Sequence, residues 1–134
     1  AQAAVMDENT STPVLLRLKE RKDFLAAAKG RKAGSGTLSL QGRRRRSYES
    51  DKADPSAIRI GFTCSKRVGN AVARNRARRR LKAAAAEIAP ALAATGCDYV
   101  LIGRPQTIDC PFDTLQADMR RAFQQVTAKL QDKR

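Results

Sequence analysis

The 134-residue chain contains no histidine and no tryptophan, and its aromatic residues amount to two tyrosines and four phenylalanines. Without histidine, and with only three widely spaced cysteines, no local motif can assemble a zinc-type ligand set. Few aromatics and much alanine imply a thin core built from Leu, Ile, Val and a few Phe. No apolar run approaches the roughly 18 residues that a membrane span requires. The first residues, "AQAAVMDENTSTP", lack the basic-then-apolar pattern of a signal peptide. Residues 1–13 are expected to be a disordered lead-in and 14–134 a single domain, soluble and cytoplasmic. Acids are also scarce, 13 against 27 basic residues, for a net charge of +14. Such an excess favours a polyanionic partner.

Hydrophobic periodicity outlines a mixed chain. Residues 18–29 suit a short helix ended by Gly30. In "GSGTLSLQG", Leu38 and Leu40 alternate with Thr37, Ser39 and Gln41, the pattern of a strand. The stretch "RRRRSYESDKADPS" reads as a polar connection whose arginines are solvated. The strand pattern of "SAIRIGFTCSK" puts Ile58, Ile60, Phe62 and Cys64 on one face, with Arg59, Gly61, Thr63 and Ser65 on the other. That second face is small and polar, so it either meets water or floors a groove. Asn70 is placed to cap a helix that runs to about Ala89 and is stopped or kinked by Pro90. "CDYVLIGR" is an interior strand closed by Pro105, and Leu115, Met119, Phe123 and Val126 mark the core stripe of a last helix. Cys64 and Cys97 fall in apolar strand patterns and are expected to be reduced core residues.

The segment "KRVGNAVARNRARRRLK", residues 66–82, carries eight basic side chains and no acid. On a helical wheel Ala73, Ala77, Leu81, Ala84 and Ile88 share one arc, leaving nearly the whole solvent side cationic. Arg74/Arg78, Arg78/Lys82 and Arg76/Arg80 are like-charge pairs four apart, each costing a few tenths of a kcal/mol. A solvated helix normally mixes signs, and arginine's planar fork suits phosphate oxygens. Nucleic acid is the indicated partner. A membrane surface is disfavoured because the apolar arc is mostly alanine, and DNA because neither a dimer nor a helix-turn-helix is visible. Catalysis by the protein itself lacks a basis: histidine, the commonest acid–base group, is missing, and the acids are scattered rather than converging on metals. A general RNA-binding module remains the alternative.

The same segment resembles the signature of the bacterial ribonuclease P protein subunit, with Arg74-Asn75-Arg76 in a basic helix after Lys66-Arg67-Val68-Gly69-Asn70. The resemblance runs from about Leu18, through "RKDF", to the last helix. It implies an α+β fold: a two-layer α/β sandwich in the order αβββαβα, with a mixed sheet and a left-handed βαβ crossover, an exception to the usual hand. A further short strand would then lie near 33–36 or within 43–49. It further implies a cofactor for a catalytic RNA that, with Mg²⁺, removes the 5′ leader of precursor tRNA. By position, Lys66, Arg67, Asn70, Arg74, Asn75, Arg76, Arg78, Arg79 and Lys82 correspond to the catalytic-RNA-binding motif. Phe24, Ser39, Gln41, Arg59, Thr63 and Ser65 correspond to the leader cleft, although Phe24 also suits ordinary core. Many members carry further aromatics where this chain has Ala28 and Gln41, so less base stacking, and more reliance on Arg59 and backbone contacts, is expected here.

Overall fold

The computed structural model describes residues 14–46 and 56–131. The expected lead-in and most of the polar connection after the arginine run lie outside the described residues. In chain order the elements are β1 (Leu15–Arg17), α1 (Arg21–Ala28), β2 (Arg31–Gly34), β3 (Leu38–Arg44), β4 (Ile58–Thr63), α2 (Ala71–Leu92), β5 (Cys97–Gly103), α3 (Pro105–Asp109) and α4 (Phe112–Gln131). The sheet order is β1-β4-β5-β3-β2. β1, β4 and β5 run parallel, whereas β3 is antiparallel to both β5 and β2. Helix α2 makes the crossover between the parallel neighbours β4 and β5.

Alternation along the central strands sends Leu38, Leu40, Ile58, Ile60, Tyr99 and Leu101 to one face, where α2 and α4 cover them. From α2 come Ala77, Leu81, Ala84 and Ile88, and from α4 Leu115, Met119, Phe123 and Val126. Burying each of the larger side chains stabilises the fold by about 1.5–3 kcal/mol. The Phe123 ring lies 5.1 Å from that of Tyr99. The Tyr99 hydroxyl accepts from the Ala94 amide and bonds the Thr127 hydroxyl, so the buried ring keeps its polar end satisfied. Burial pushes its phenol up from the ordinary value. Cys64 and Cys97 are both free and buried, and burial raises both thiols, which makes them packing residues rather than nucleophiles.

The order αβββαβα is present with two additions. Strand β1 precedes the first helix, and α3 follows β5. Three exposed residues give β1 no alternation to read. Pro105, expected only to close β5, is the first residue of α3, where its missing N–H costs nothing. The short extra strand is β2, nearer the first of its two expected places. Helix α2 carries Pro90 in its last turn and ends at Leu92, because so few residues follow the missing amide. The arginine run departs from expectation. Arg43 and Arg44 extend β3, and Arg45 is buried against the sheet.

Candidate functional site

The sheet face away from α2 and α4 is organised in three cross-strand rows. Register pairs Arg43 with Asp98 and Asp98 with Arg59; next come Gln41, Val100 and Gly61; last come Ser39, Ile102 and Thr63. Helix α1 crosses this face over the first two rows. Ala27 packs with Leu18 and Val100. The Phe24 ring sits so close to Gly61 that a Cβ there would lie 2.6 Å from it. Glycine is thus required by the approach of an aromatic ring rather than by backbone conformation.

The first row is an ionic cluster. Arg59 donates from Nε and Nη2 to the two Asp98 oxygens, each at 2.7 Å, and reaches Asp23 of α1 at 3.4 Å. Arg45 donates to Asp98 at 2.8 Å and to the carbonyls of Cys97 and Ala57. Arg43 bridges Asp98 and Asp23. Asp98 is completely buried. Burial alone would raise its carboxyl, but hydrogen bonds from Arg59 and Arg45, and then their charges, hold it below the ordinary carboxylate range. Arg59, expected in the cleft, does face this side, yet its fork is engaged by Asp98 and Asp23.

The last row remains half-exposed, and its Ser39 and Ile102 line a groove of about 360 Å³ together with Lys32, Gly34, Gln41 and Arg104. Arg104 donates from Nη2 to the Ser39 hydroxyl at 2.6 Å, which places its guanidinium on the groove side. Sequence reasoning did not assign Arg104 to either face. Its position two residues after Ile102 carried the parity signal, but the strand ends between them. Of the six residues expected at the cleft, Ser39, Gln41, Thr63 and Arg59 share this face with Phe24 above them. Ser65 instead lies exposed in the turn after β4, its hydroxyl accepting from the Arg67 amide.

That turn leads from the end of β4 into α2. Gly69 has φ +150°, and a Cβ there would lie 2.8 Å from that of Ala73. Asn70 then caps the helix, its Oδ1 accepting from the Ala73 amide at 2.9 Å, so it has a local structural duty. Lys66, Arg67, Asn75, Arg76, Arg79 and Lys82 are exposed, and Arg74 and Arg78 are half-buried. Among the described residues, no carboxylate pairs with any of the basic side chains between 66 and 82. Arg74 donates to the Gly69 carbonyl and Arg78 to the Asn75 side chain. Lys82 lies over the Phe62 ring at 5.9 Å.

Two arginines of this helix point elsewhere. Arg80 donates to the carbonyls of Thr107, Ile108 and Cys110, and Arg76 also donates to that of Ile108. Both satisfy the C-terminal end of α3, where cations complement the orphan carbonyls. Thr107 in turn bonds the Arg104 amide and, through its hydroxyl, the Thr37 carbonyl. Thr37 donates to Asp118 of α4, a hydrogen bond that lowers this carboxyl. Helix α3 therefore ties the basic helix to the strand end carrying Arg104.

A family model for ribonuclease P matches residues 13–127. The chain belongs to the ribonuclease P protein family. It is 51% identical over 112 residues to the ribonuclease P protein component of Ruegeria pomeroyi, covering 83% of this chain and 86% of that one. It is 47% identical over 113 residues to the component of Paramagnetospirillum magneticum, covering 84% and 83%. Solved structures share the fold. The ribonuclease P protein of Thermotoga maritima superposes with a TM-score of 0.66 at 19% identity, over 82% of this chain and 96% of that one. That of Staphylococcus aureus gives 0.64 at 20%, over 83% and 96%. The family's protein component is part of an endoribonuclease whose catalysis depends on RNA.

Proposed function

We propose that this protein component of ribonuclease P holds the catalytic RNA on the α2 surface and the 5′ leader of precursor tRNA along the Ser39–Ile102–Thr63 end of the sheet. Its place in tRNA 5′ maturation beside the RNA subunit follows from family membership. The observation that carries the RNA-binding reading is the uncompensated basic surface. Lys66, Arg67, Arg74, Arg78, Arg79 and Lys82 have no carboxylate partner among the described residues, so phosphates are the natural counter-charge.

The groove supports the leader reading by its shape and chemistry. It is open, small-residued and polar at Ser39 and Gln41, apolar at Ile102, and flanked by the cations Lys32 and Arg104. An extended single strand can lay its backbone against those cations while a base contacts Ile102 or the exposed part of Phe24. Arg59 orients the floor and α1 rather than meeting phosphate directly. With Ala28 and Gln41 in place of aromatics, the leader would rely more on Arg104 and Lys32 than on stacking.

Mg²⁺ belongs with the RNA in this reading. Among the described residues no group of three acidic or cysteine side chains converges as a ligand set. Asp23 and Asp98, which share arginine partners, are already neutralised by them. The described helices include none long and apolar enough to cross a membrane. A cytoplasmic site of action belongs to the same reading, through the proposed role in tRNA maturation.

The test is cleavage of precursor tRNA by a bacterial ribonuclease P RNA at limiting Mg²⁺, with and without the protein, using long-leader and one-nucleotide-leader substrates. Cleavage at the mature 5′ end should rise with protein, and more for the long leader. Tight RNA binding without stimulation would reduce the chain to a general RNA binder.

A further inference from the structure

A second concavity lies on the opposite side of the sheet from the leader groove. Strand β1 is the sheet edge, and α2 stops short of covering it. Between them runs an apolar groove of about 280 Å³ walled by Leu15, Ile60, Phe62, Ala85 and Ala86. Lys82 and Arg17 are also among its lining residues, both exposed. Its lining is almost wholly carbon apart from those two cations. Lys82 belongs to the basic helix surface and simultaneously sits over the Phe62 ring. The groove is therefore continuous with the surface assigned above to RNA.

We propose that this groove receives one unstacked base of the catalytic RNA, with its flanking phosphates on Lys82 and Arg17. The proposal rests on the assignment of α2 to that RNA and adds a site to it. Three observations favour this occupant. At 280 Å³ the space is below the usual range of about 300–1,000 Å³ for drug-sized ligands, so it suits a single ring system. An aromatic floor with apolar walls and a cationic mouth is the chemistry that binds a splayed-out base. A protein partner fits less well. Strand addition along β1 would find only three residues to pair with, and a second copy would bring +14 against +14.

The experiment fills the groove without touching its charges. Ala86 is exposed on the helix, so Ala86→Leu keeps a good helix former and adds bulk inside the groove. Ala128→Leu, on exposed α4 surface, is the control. Affinity for a bacterial ribonuclease P RNA would be measured over a range of salt. Ala86→Leu should weaken binding about 5- to 150-fold, the range for loss of one stacked base. The slope of log affinity against log salt should stay unchanged, because no phosphate contact is removed. Ultraviolet crosslinking of the wild-type complex should join Phe62 to the RNA. Unaltered affinity of Ala86→Leu, or crosslinks confined to residues 66–80, would overturn the proposal while leaving the α2 assignment standing. A change in self-association with no change in RNA affinity would overturn it in favour of a second copy. Failure of the wild-type chain to bind the RNA would remove the α2 assignment and this site together.

Discussion

Replacing Asp98 by asparagine removes one negative charge from a site that three arginines share. Asp98 is completely buried, and the Arg45 side chain is only 4% exposed. In Asp98→Asn, Arg45 keeps the Cys97 and Ala57 carbonyls but loses its 2.8 Å ion pair with Asp98, and Arg59 loses both of its 2.7 Å charged hydrogen bonds. Among the described residues, Asp23 is the acid still paired with Arg43 and Arg59. Breaking a buried pair by removing one partner costs about 3–5 kcal/mol. That is a large share of the roughly 5–15 kcal/mol by which a domain is stable. With a urea slope of about 1–3 kcal/mol/M, the unfolding midpoint should fall by about 2 M at neutral pH with the slope unchanged. Acid should reveal the same cluster. The Asp98 carboxyl is depressed in the folded state, so its contribution is complete above the unfolded value of about 3.9 and is lost as pH falls through the lower folded value. The variant has nothing to protonate there, and its stability should decline less steeply in that window. A midpoint shift under about 0.5 M, or an acid profile identical to wild type, would refute the view of the cluster as a fold-bearing ion network.

Other expectations follow from the same geometry. Arg74→Ala with Arg79→Ala should weaken binding to the catalytic RNA far more than Arg44→Ala with Arg120→Ala, measured by filter binding; equal losses would reduce the helix to bulk charge. If about six to ten phosphates are contacted, affinity should fall roughly 10³–10⁵-fold between 50 and 200 mM salt, and a flat profile would refute the electrostatic account. Arg104→Gln should shrink the advantage of long-leader over one-nucleotide-leader substrates in single-turnover cleavage while leaving affinity for the catalytic RNA unchanged. Asn70→Ala should lower stability by about 1 kcal/mol in urea unfolding, through loss of the α2 cap.

Much of this was legible locally. The alternation in "IRIGFT", the alanine arc of α2 and the Leu115–Val126 stripe of α4 each state a burial pattern within a few residues, and the structure buries those faces. Strand β1 escaped because three residues cannot display a period, and α3 because its proline reads equally as a stop or a start. Arg104 escaped because it lies one residue past the end of β5, where the parity it shares with Ile102 is not binding.

The arginines mark the boundary most clearly. The sequence alone determined the charge excess, the placement of eight cations in one segment and the family signature, since these depend only on residue type and spacing. Which arginine is available to a ligand depended on partners far along the chain. Asp98 lies 39 residues from Arg59 and 53 from Arg45, and the α3 carbonyls lie 27 to 30 residues from Arg80. Chemically identical side chains thus became an ion cluster, a helix bracket or a free surface. Only the pairing of distant strands and helices decided among them, because charge neutralisation is set by distance in space and carries no local pattern.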